Sequence, residues 1–319
     1  MRPRRKYRLR RLTPVVLLVL AAVMAGAWVG ARRPAATVNA AASGPLVIDA
    51  PVVHIVHVVP LAPEHLLNGD DVVQHAFSPP LSAAAAIVVD AGTGRVLWQL
   101  QPHERRKVAS LTKIMTALLA LKKLAPNDIV TVDKSVPRVP LVREGLRAGE
   151  RVKAWKLFYS MLLYSGNDDA LALAIAAGGD KWTFVRDMND EAHRLGLRDT
   201  HFISPSGVVD RDNYSSAWDM AALTRVALRN ERFDKIVRTK IIHVPWSAPT
   251  YSKVYVNNNL MLRSYPGADG VKTGYTHKSG PCLVVSATRH GRTVIAVLLD
   301  DPNMYVDGTR LLDFGFRSE

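Results

Sequence analysis

Cysteine is almost absent from this sequence. Cys282 is the single one in 319 residues, so no disulfide can form within the chain. No internal repeat is present, which sets aside solenoids and propellers. Residues 1–33 contain no Asp or Glu, yet hold nine Arg and Lys. The formal net charge is +14. Nine of those charges therefore belong to the first 33 residues and five to all the rest. A body this mildly basic gives little reason to expect a nucleic-acid partner.

What the sequence does have begins with that basic start. It runs into Val15–Ala31, seventeen uncharged residues reading VVLLVLAAVMAGAWVGA. Basic followed by apolar is the pattern of an export signal or a membrane anchor, and seventeen residues is the short end of a spanning helix. The charge bias orients the body outside the membrane. Val38-Asn39-Ala40 offers a small-residue cleavage site, whereas Arg32 and Arg33 directly behind the run are unusual for a cleaved signal. Residues 1–33 therefore read as a signal peptide or an N-terminal anchor. An exported chain without disulfides suits a bacterial envelope. Cys282 lies in the apolar run CLVVSA and reads as a buried, inert thiol.

Residues 34–80 are rich in Ala, Pro, Val and His and poor in large core residues. They read as a linker. Its histidines (His54, His57, His65, His75) have no cysteine or tight carboxylate cluster beside them, so no metal site is expected. A single globular body is expected over residues 81–319. It opens with apolar–turn–apolar, AAAAIVVD-AGTG-RVLWQL, a hairpin. Helices are expected over 111–124, 154–164, 168–177, 181–195 and 217–229, with Ser216 as a capping start. Strands follow at 240–244, 253–256, 268–273, 282–288 and 293–299, and a helix over 305–314 closes the chain. Short turns between the late strands imply antiparallel pairing. The expected fold class is α+β, an antiparallel sheet flanked by helices plus a helical subdomain.

Three short motifs carry the chemistry. Ser110 and Lys113 stand three apart at the start of an apolar helix, VASLTKIMTAL. Residues so spaced share a helix face. A lysine drawn toward the core loses solvation and its pKa falls, which makes it a base beside a hydroxyl nucleophile. Taken alone, Ser110 reads as an ordinary N-cap rather than a nucleophile. Ser165-Gly166-Asn167 lies between two helical runs. It offers a hydroxyl for proton relay and an amide for orienting a substrate, or simply another cap. Lys272-Thr273-Gly274 closes the run ADGVKTG. Its ammonium and hydroxyl can grip a carboxylate, and Gly274 lets a substrate backbone lie close. S-x-x-K, S-x-N and K-T-G each occur once, in that order, 55 and 107 residues apart. S-x-x-K, S-D-N and K-T-G form the set shared by class A β-lactamases and penicillin-binding proteins.

With these motifs the chain resembles the serine D-alanyl-D-alanine carboxypeptidases, the low-molecular-mass penicillin-binding proteins. The likeness runs from about Ala83 to Phe316 through ASLTKIMTALLAL, SGNDDALALA, LGLRDTHFISPSGV, DGVKTGYT and SGPCLVVSATR. Ser204 and Ser206 depart from the residues many members carry before Gly207. Many members also have a second β-rich domain and a C-terminal amphipathic anchor. This chain is expected to lack both, like shorter members, some of which are endopeptidases.

The resemblance implies roles. Ser110 would attack the carbonyl between two D-alanines, with Lys113 as base. Ser165, held by Lys272, would pass the proton to the leaving amine. Backbone N–H groups of Ser110 and Tyr275 would form the oxyanion hole. Asn167 would orient the penultimate amide, and Lys272 and Thr273 would bind the terminal carboxylate. Peptidoglycan stem peptides are the expected partners and β-lactams the expected covalent inhibitors; no cofactor is expected. Carboxypeptidase and cross-link endopeptidase use the same residues. Class A β-lactamases use a loop Glu with an Asn four residues on. Between Asn167 and Lys272 the glutamates are Glu191 and Glu231, followed four residues on by Leu195 and Lys235, so fast lactam hydrolysis is not expected. A silent muropeptide or β-lactam sensor would have lost a catalytic group, and none is lost.

Overall fold

AAIVVD and RTVIAVLL are apolar without alternation. Such runs form strands buried on both faces. A computed structural model describes residues 66–68, 79–208, 212–246 and 252–318. In it these runs are β1 (Ala85–Asp90) and β9 (Arg292–Leu299), preceded and flanked by β2 (Val96–Leu100), β7 (Ala268–Thr276) and β8 (Gly280–Arg289). Together they make one five-stranded sheet in the order β2-β1-β9-β8-β7, antiparallel at every pairing. The expected α+β class and antiparallel sheet are thus present.

The two faces of each strand bury against different helices. Ala86, Val88, Leu283, Val285, Ala296 and Leu298 pack on Leu311, Leu312 and Phe314 of the closing helix α8 (Met304–Arg317). Ala85, Ile87, Val89, Val284, Ile295 and Val297 join the larger core. That core is completed by α1 (Lys113–Lys123), α2 (Ala154–Tyr159), α3 (Asn167–Gly178), α4 (Lys181–Arg194), α5 (Ala217–Ala227) and α6 (Glu231–Val237). Two short pairs, β3 (Ile129–Thr131) with β4 (Arg151–Lys153) and β5 (Ile241–Val244) with β6 (Lys253–Val256), lie outside the main sheet. A single helical turn, α7 (Met261–Ser264), precedes β7. The sheet therefore takes its strands from both ends of the body, and the helical part is inserted between β2 and β7.

Local chemistry sets the boundaries. Asp180 accepts the N–H groups of Trp182 and Thr183 to start α4. Ser216 accepts Asp219 N–H to start α5, as expected. The helix expected over 154–164 does not run through. After Tyr159 it widens into a π turn over Ser160–Tyr164, closed by Ser165 N–H on Ser160 O at 3.0 Å. The β3–β4 pair and α6 were not anticipated. β3 buries only its middle residue, so three residues give no readable period. The segment expected to be a linker is partly attached. Leu66 and Leu67 are buried, Asn68 N–H donates to Gly94 O at 2.9 Å, and Arg225 Nη1 donates to Leu66 O at 2.7 Å. The apolar run 15–31 and the four linker histidines lie outside the described residues. Among the described residues no helix is long and apolar enough to cross a membrane.

Candidate active site

Ser110 does not cap a helix. It sits in a 3-10 turn over Ala109–Thr112, directly before α1, and its side chain makes no capping bond. Ala109 is held at φ +46°, a costly backbone for a non-glycine residue. The surroundings impose it. The turn is wedged between Gly207 and Gly274. A Cβ on Gly207, whose own φ is +73°, would lie 2.0 Å from Ala109 O, and one on Gly274 would lie 3.1 Å from Ser110 N. The edge strand β7 and the 204–207 loop thus fix the serine from two sides, and both contacts require glycine.

One turn on, Lys113 is completely buried. Its Nζ lies 2.8 Å from Ser110 Oγ, 2.7 Å from Asn167 Oδ1, 3.4 Å from Ser165 Oγ and 3.4 Å from Ser206 O. The S-x-x-K and S-x-N motifs therefore meet on one nitrogen. Burial holds the Lys113 pKa well below the ordinary lysine value; the Lys272 charge adds to this, and Asp169 and Asp168 oppose it. The partner types agree with a neutral amine. Asn167 Oδ1 and Ser206 O can only accept, so they take its two N–H groups. The lone pair is then left to the serine hydroxyls. The Asn167 orientation is fixed by its other end, where Nδ2 donates to Pro140 O at 3.0 Å, leaving one N–H free.

Ser165 ends the π turn at φ +76°. That left-handed pose turns its hydroxyl toward Lys113 rather than along a helix, and π turns recur at functional sites. Lys272 is also buried, with its pKa lowered to about 7 by burial. It donates to Thr273 O at 2.8 Å. The bond expected between Lys272 and Ser165 is not among its contacts. Tyr275 is exposed, and lines one cleft of about 450 Å³ with Ser110, Ser165, Thr273 and Gly274. Two roomier depressions, about 650 and 510 Å³, contain none of the motif residues. Chemistry rather than size marks the site.

Beneath the serine–glycine–asparagine turn lies an acidic floor that the sequence did not reveal. Asp168 accepts the backbone N–H groups of Glu144, Gly145 and Leu146 at 2.8, 2.8 and 3.1 Å, clasping the 140–146 loop to α3. Asp169 is fully buried, and a Cβ on Gly166 would lie 1.9 Å from its Oδ2. Ser160 Oγ stands 2.6 Å from Asp169 Oδ2 and 3.0 Å from Glu144 Oε2. One hydroxyl proton cannot serve two carboxylates. Burial first, then the charges of Asp168 and Glu144, raise the Asp169 pKa well above the usual range. A protonated Asp169 donating to Ser160, which donates to Glu144, accounts for every contact. Glu144 is in turn paired with Lys253. In sequence nothing distinguishes Asp169 from an ordinary acid in a first helical turn; its burial does.

Glu191 is tied to Lys122 and Arg194 at 2.7 Å each, and neither it nor Glu231 lines the serine cleft. Cys282 is buried, its thiol pushed up to about 11 by burial, as an inert thiol should be.

The sequence profile of the D-alanyl-D-alanine carboxypeptidases (peptidase family S11) matches residues 72–303. The D-alanyl-D-alanine carboxypeptidase DacF of Bacillus subtilis is 35% identical over 73% of this chain; the match spans 62% of that relative's length. A D-alanyl-D-alanine endopeptidase of Escherichia coli is 29% identical over 79% of this chain and 83% of its own. The crystal structure of the Streptomyces K15 DD-transpeptidase superposes with a TM-score of 0.71 at 32% identity, covering 76% of this chain and 99% of that one. With two of the motifs meeting on one buried lysine and this profile spanning most of the body, the chain belongs to the D-alanyl-D-alanine carboxypeptidase family.

Proposed function

We propose that the protein is a serine DD-carboxypeptidase of the bacterial envelope that removes the terminal D-alanine from peptidoglycan stem pentapeptides. The observation that carries this reading is the 2.8 Å contact between Lys113 Nζ and Ser110 Oγ inside a fully buried pocket. Neutral Lys113 takes the Ser110 proton as Ser110 Oγ attacks the carbonyl between the two D-alanines. The carbonyl oxygen gains charge opposite the N–H groups of Ser110 and Tyr275. Ser165 relays the proton from Lys113 to the leaving nitrogen, the C–N bond breaks, and free D-alanine departs. Water, deprotonated through Lys113, then cleaves the serine ester. Lys272 and Thr273 hold the terminal carboxylate, and the free Asn167 N–H orients the penultimate amide. β-Lactams enter by the same attack and remain on Ser110.

Residues 1–33 would deliver the body outside the membrane as a signal peptide or hold it there as an anchor. A second reading, cleavage of D-alanyl cross-links, is favoured by the endopeptidase relative and needs the same groups. The test follows D-alanine release from a stem pentapeptide by mass spectrometry, with Ser110→Ala as control, beside a cross-linked dimer. Release from the pentapeptide by the native protein alone establishes the carboxypeptidase. Cleavage of the dimer alone establishes the endopeptidase, and inertness toward both removes the reading.

A further inference from the structure

The cleft that holds Ser110 extends away from it toward Arg263, at the end of α7. Arg263 is exposed, and no hydrogen bond or ion pair engages its guanidinium among the described residues. No Asp or Glu lines the cleft. Three arginines of another depression are engaged, Arg225 by backbone carbonyls, Arg292 by Asp90 and Arg238 by Asp234; Arg198 and Arg229 stand in depressions lined by aspartates, and the Arg263 cleft has none. The wall beside Arg263 is Leu260, Met304 and Tyr305. Burial raises the pKa of the Tyr305 hydroxyl, and the nearby Arg263 charge acts against that rise. Tyr305 itself donates to Asn258 O at 3.1 Å, so its hydroxyl proton is already used. An uncompensated guanidinium at one end of an acid-free cleft, against an apolar wall, is a receptor for an anion carried by whatever occupies the cleft.

The terminal carboxylate of a stem peptide is already assigned to Lys272 and Thr273. We infer that Arg263 binds a second carboxylate of the stem peptide, upstream of the scissile bond, and so selects stem peptides by their charge as well as by their D-alanyl end. This rests on the DD-peptidase reading. A stem peptide can carry such a carboxylate in two places: the α-carboxylate of a γ-linked glutamate at its second residue, or the side chain of a diamino dicarboxylic acid at its third. Amidation removes either charge with almost no change of shape.

The experiment measures kcat/KM for D-alanine release by the full-length chain, purified in detergent. It uses four pentapeptides: both carboxylates free, the second residue amidated, the third amidated, and both amidated. Amidation at the residue Arg263 reads lowers kcat/KM about tenfold, the loss of a charge-assisted bond. Arg263→Gln lowers kcat/KM for the free peptide by the same factor and flattens the four peptides to within about twofold, by the logic of a double-mutant cycle. Arg263→Lys retains part of the discrimination, because charge without the fork remains. Which amide causes the loss names the source. Equal rates for all four peptides with the native protein overturn the inference while leaving the DD-peptidase reading intact. So does a loss in Arg263→Gln of the same size on every peptide, since that would place Arg263 on the terminal carboxylate or in the fold. No release from any peptide by the native protein removes the underlying reading and the inference with it.

Discussion

Two lysines are buried in one site, one at the start of α1 and one on the edge strand β7, and their surroundings differ. Lys113 is enclosed by two groups that can only accept and two hydroxyls that can do either. Among the described residues Lys272 has one hydrogen bond, to its neighbour's carbonyl. Burial lowers both pKa values. Desolvation alone makes a lysine easier to deprotonate; what it then does depends on what surrounds it. The helix start completes the coordination of a neutral amine and aims its lone pair at a nucleophile. The strand leaves Lys272 with that single partner, and on the proposed reading a substrate carboxylate supplies the next. On the function proposed above, the same residue type, equally buried, serves as a base in one region and as a receptor in the other.

The largest test of that contrast removes each lysine in turn. Lys113→Ala should lower labelled-penicillin acylation about a thousandfold, the scale of a lost general base, and peptide mapping should place residual label on Ser110. Lys272→Ala should lower kcat/KM for the pentapeptide about ten- to a hundredfold, mostly in KM, because a charge-assisted bond to substrate is lost. Equal loss of kcat in both variants would erase the distinction between base and receptor.

Next in size is the glycine behind the nucleophile. Gly207→Ala combines φ +73° with a Cβ 2.0 Å from Ala109 O. It should cost several kcal/mol, roughly the strain of 1–3 kcal/mol plus overpacking of similar size, and should slow acylation of Ser110. Gly291→Ala, at φ +80° with open space around it, carries the strain alone. It should cost about 1–2 kcal/mol and leave acylation unchanged. Thermal melts beside penicillin labelling compare the two.

The pH dependence sharpens the contrast further. Lys272 has a folded pKa of about 7, against an unfolded value near the ordinary 10.5. Between those values the unfolded chain binds the extra proton, so stability rises with pH across this window. Below about 7 the burial penalty is present in full. Lys272→Met should remove its share of that slope and leave the part owed to buried Lys113, and melts between pH 7 and 10 report the difference. For activity the sign is opposite: free protein loses the Lys272 proton above about 7, so kcat/KM falls there. Once a substrate carboxylate is bound it raises the Lys272 pKa, and kcat persists to higher pH.

How much of this was legible in the sequence follows from what residue types can encode. Ser110, Lys113, Ser165, Asn167 and Lys272-Thr273-Gly274 were singled out because nucleophile, base and carboxylate grip need those side chains, and the first four do meet in the fold. The doubly buried strands were found because their apolar runs are unbroken. The α5 start was found through Ser216, whereas Asp180, which caps α4, was not singled out. The π turn was missed because SMLLY carries no signal that a helix will widen, and with it went the left-handed pose of Ser165. Ser206 was missed as a partner of Lys113 because it acts through its backbone carbonyl, which every residue possesses. Arg263 was invisible because a solvent-facing arginine and a ligand-facing one look alike until a cleft is drawn around them.

The smallest expected effect tests the floor that lies under the base and not under the receptor. Asp169, Ser160 and Glu144 share their protons so that Asp169 must hold one. Asp169→Asn replaces a neutral carboxyl by an amide of nearly the same shape. Its NH₂ donates to Ser160 as the carboxyl O–H did. The substitution should leave penicillin acylation within about two- to threefold and the melting temperature little changed, because the swap conserves shape, keeps a donor to Ser160, and leaves the other oxygen as it is in the native carboxyl, buried without a hydrogen-bond partner among the described residues. The infrared band of an un-ionised buried carboxyl should disappear. Asp169→Leu fills the space without a donor, leaves Ser160 with one partner fewer, and should slow acylation by loosening the turn that carries Ser165. If Asp169→Asn behaved as badly as Asp169→Leu, Asp169 would be ionised in the native protein. Lys113 would then face a full negative charge from below and would hold its proton more tightly than a base at the start of α1 can.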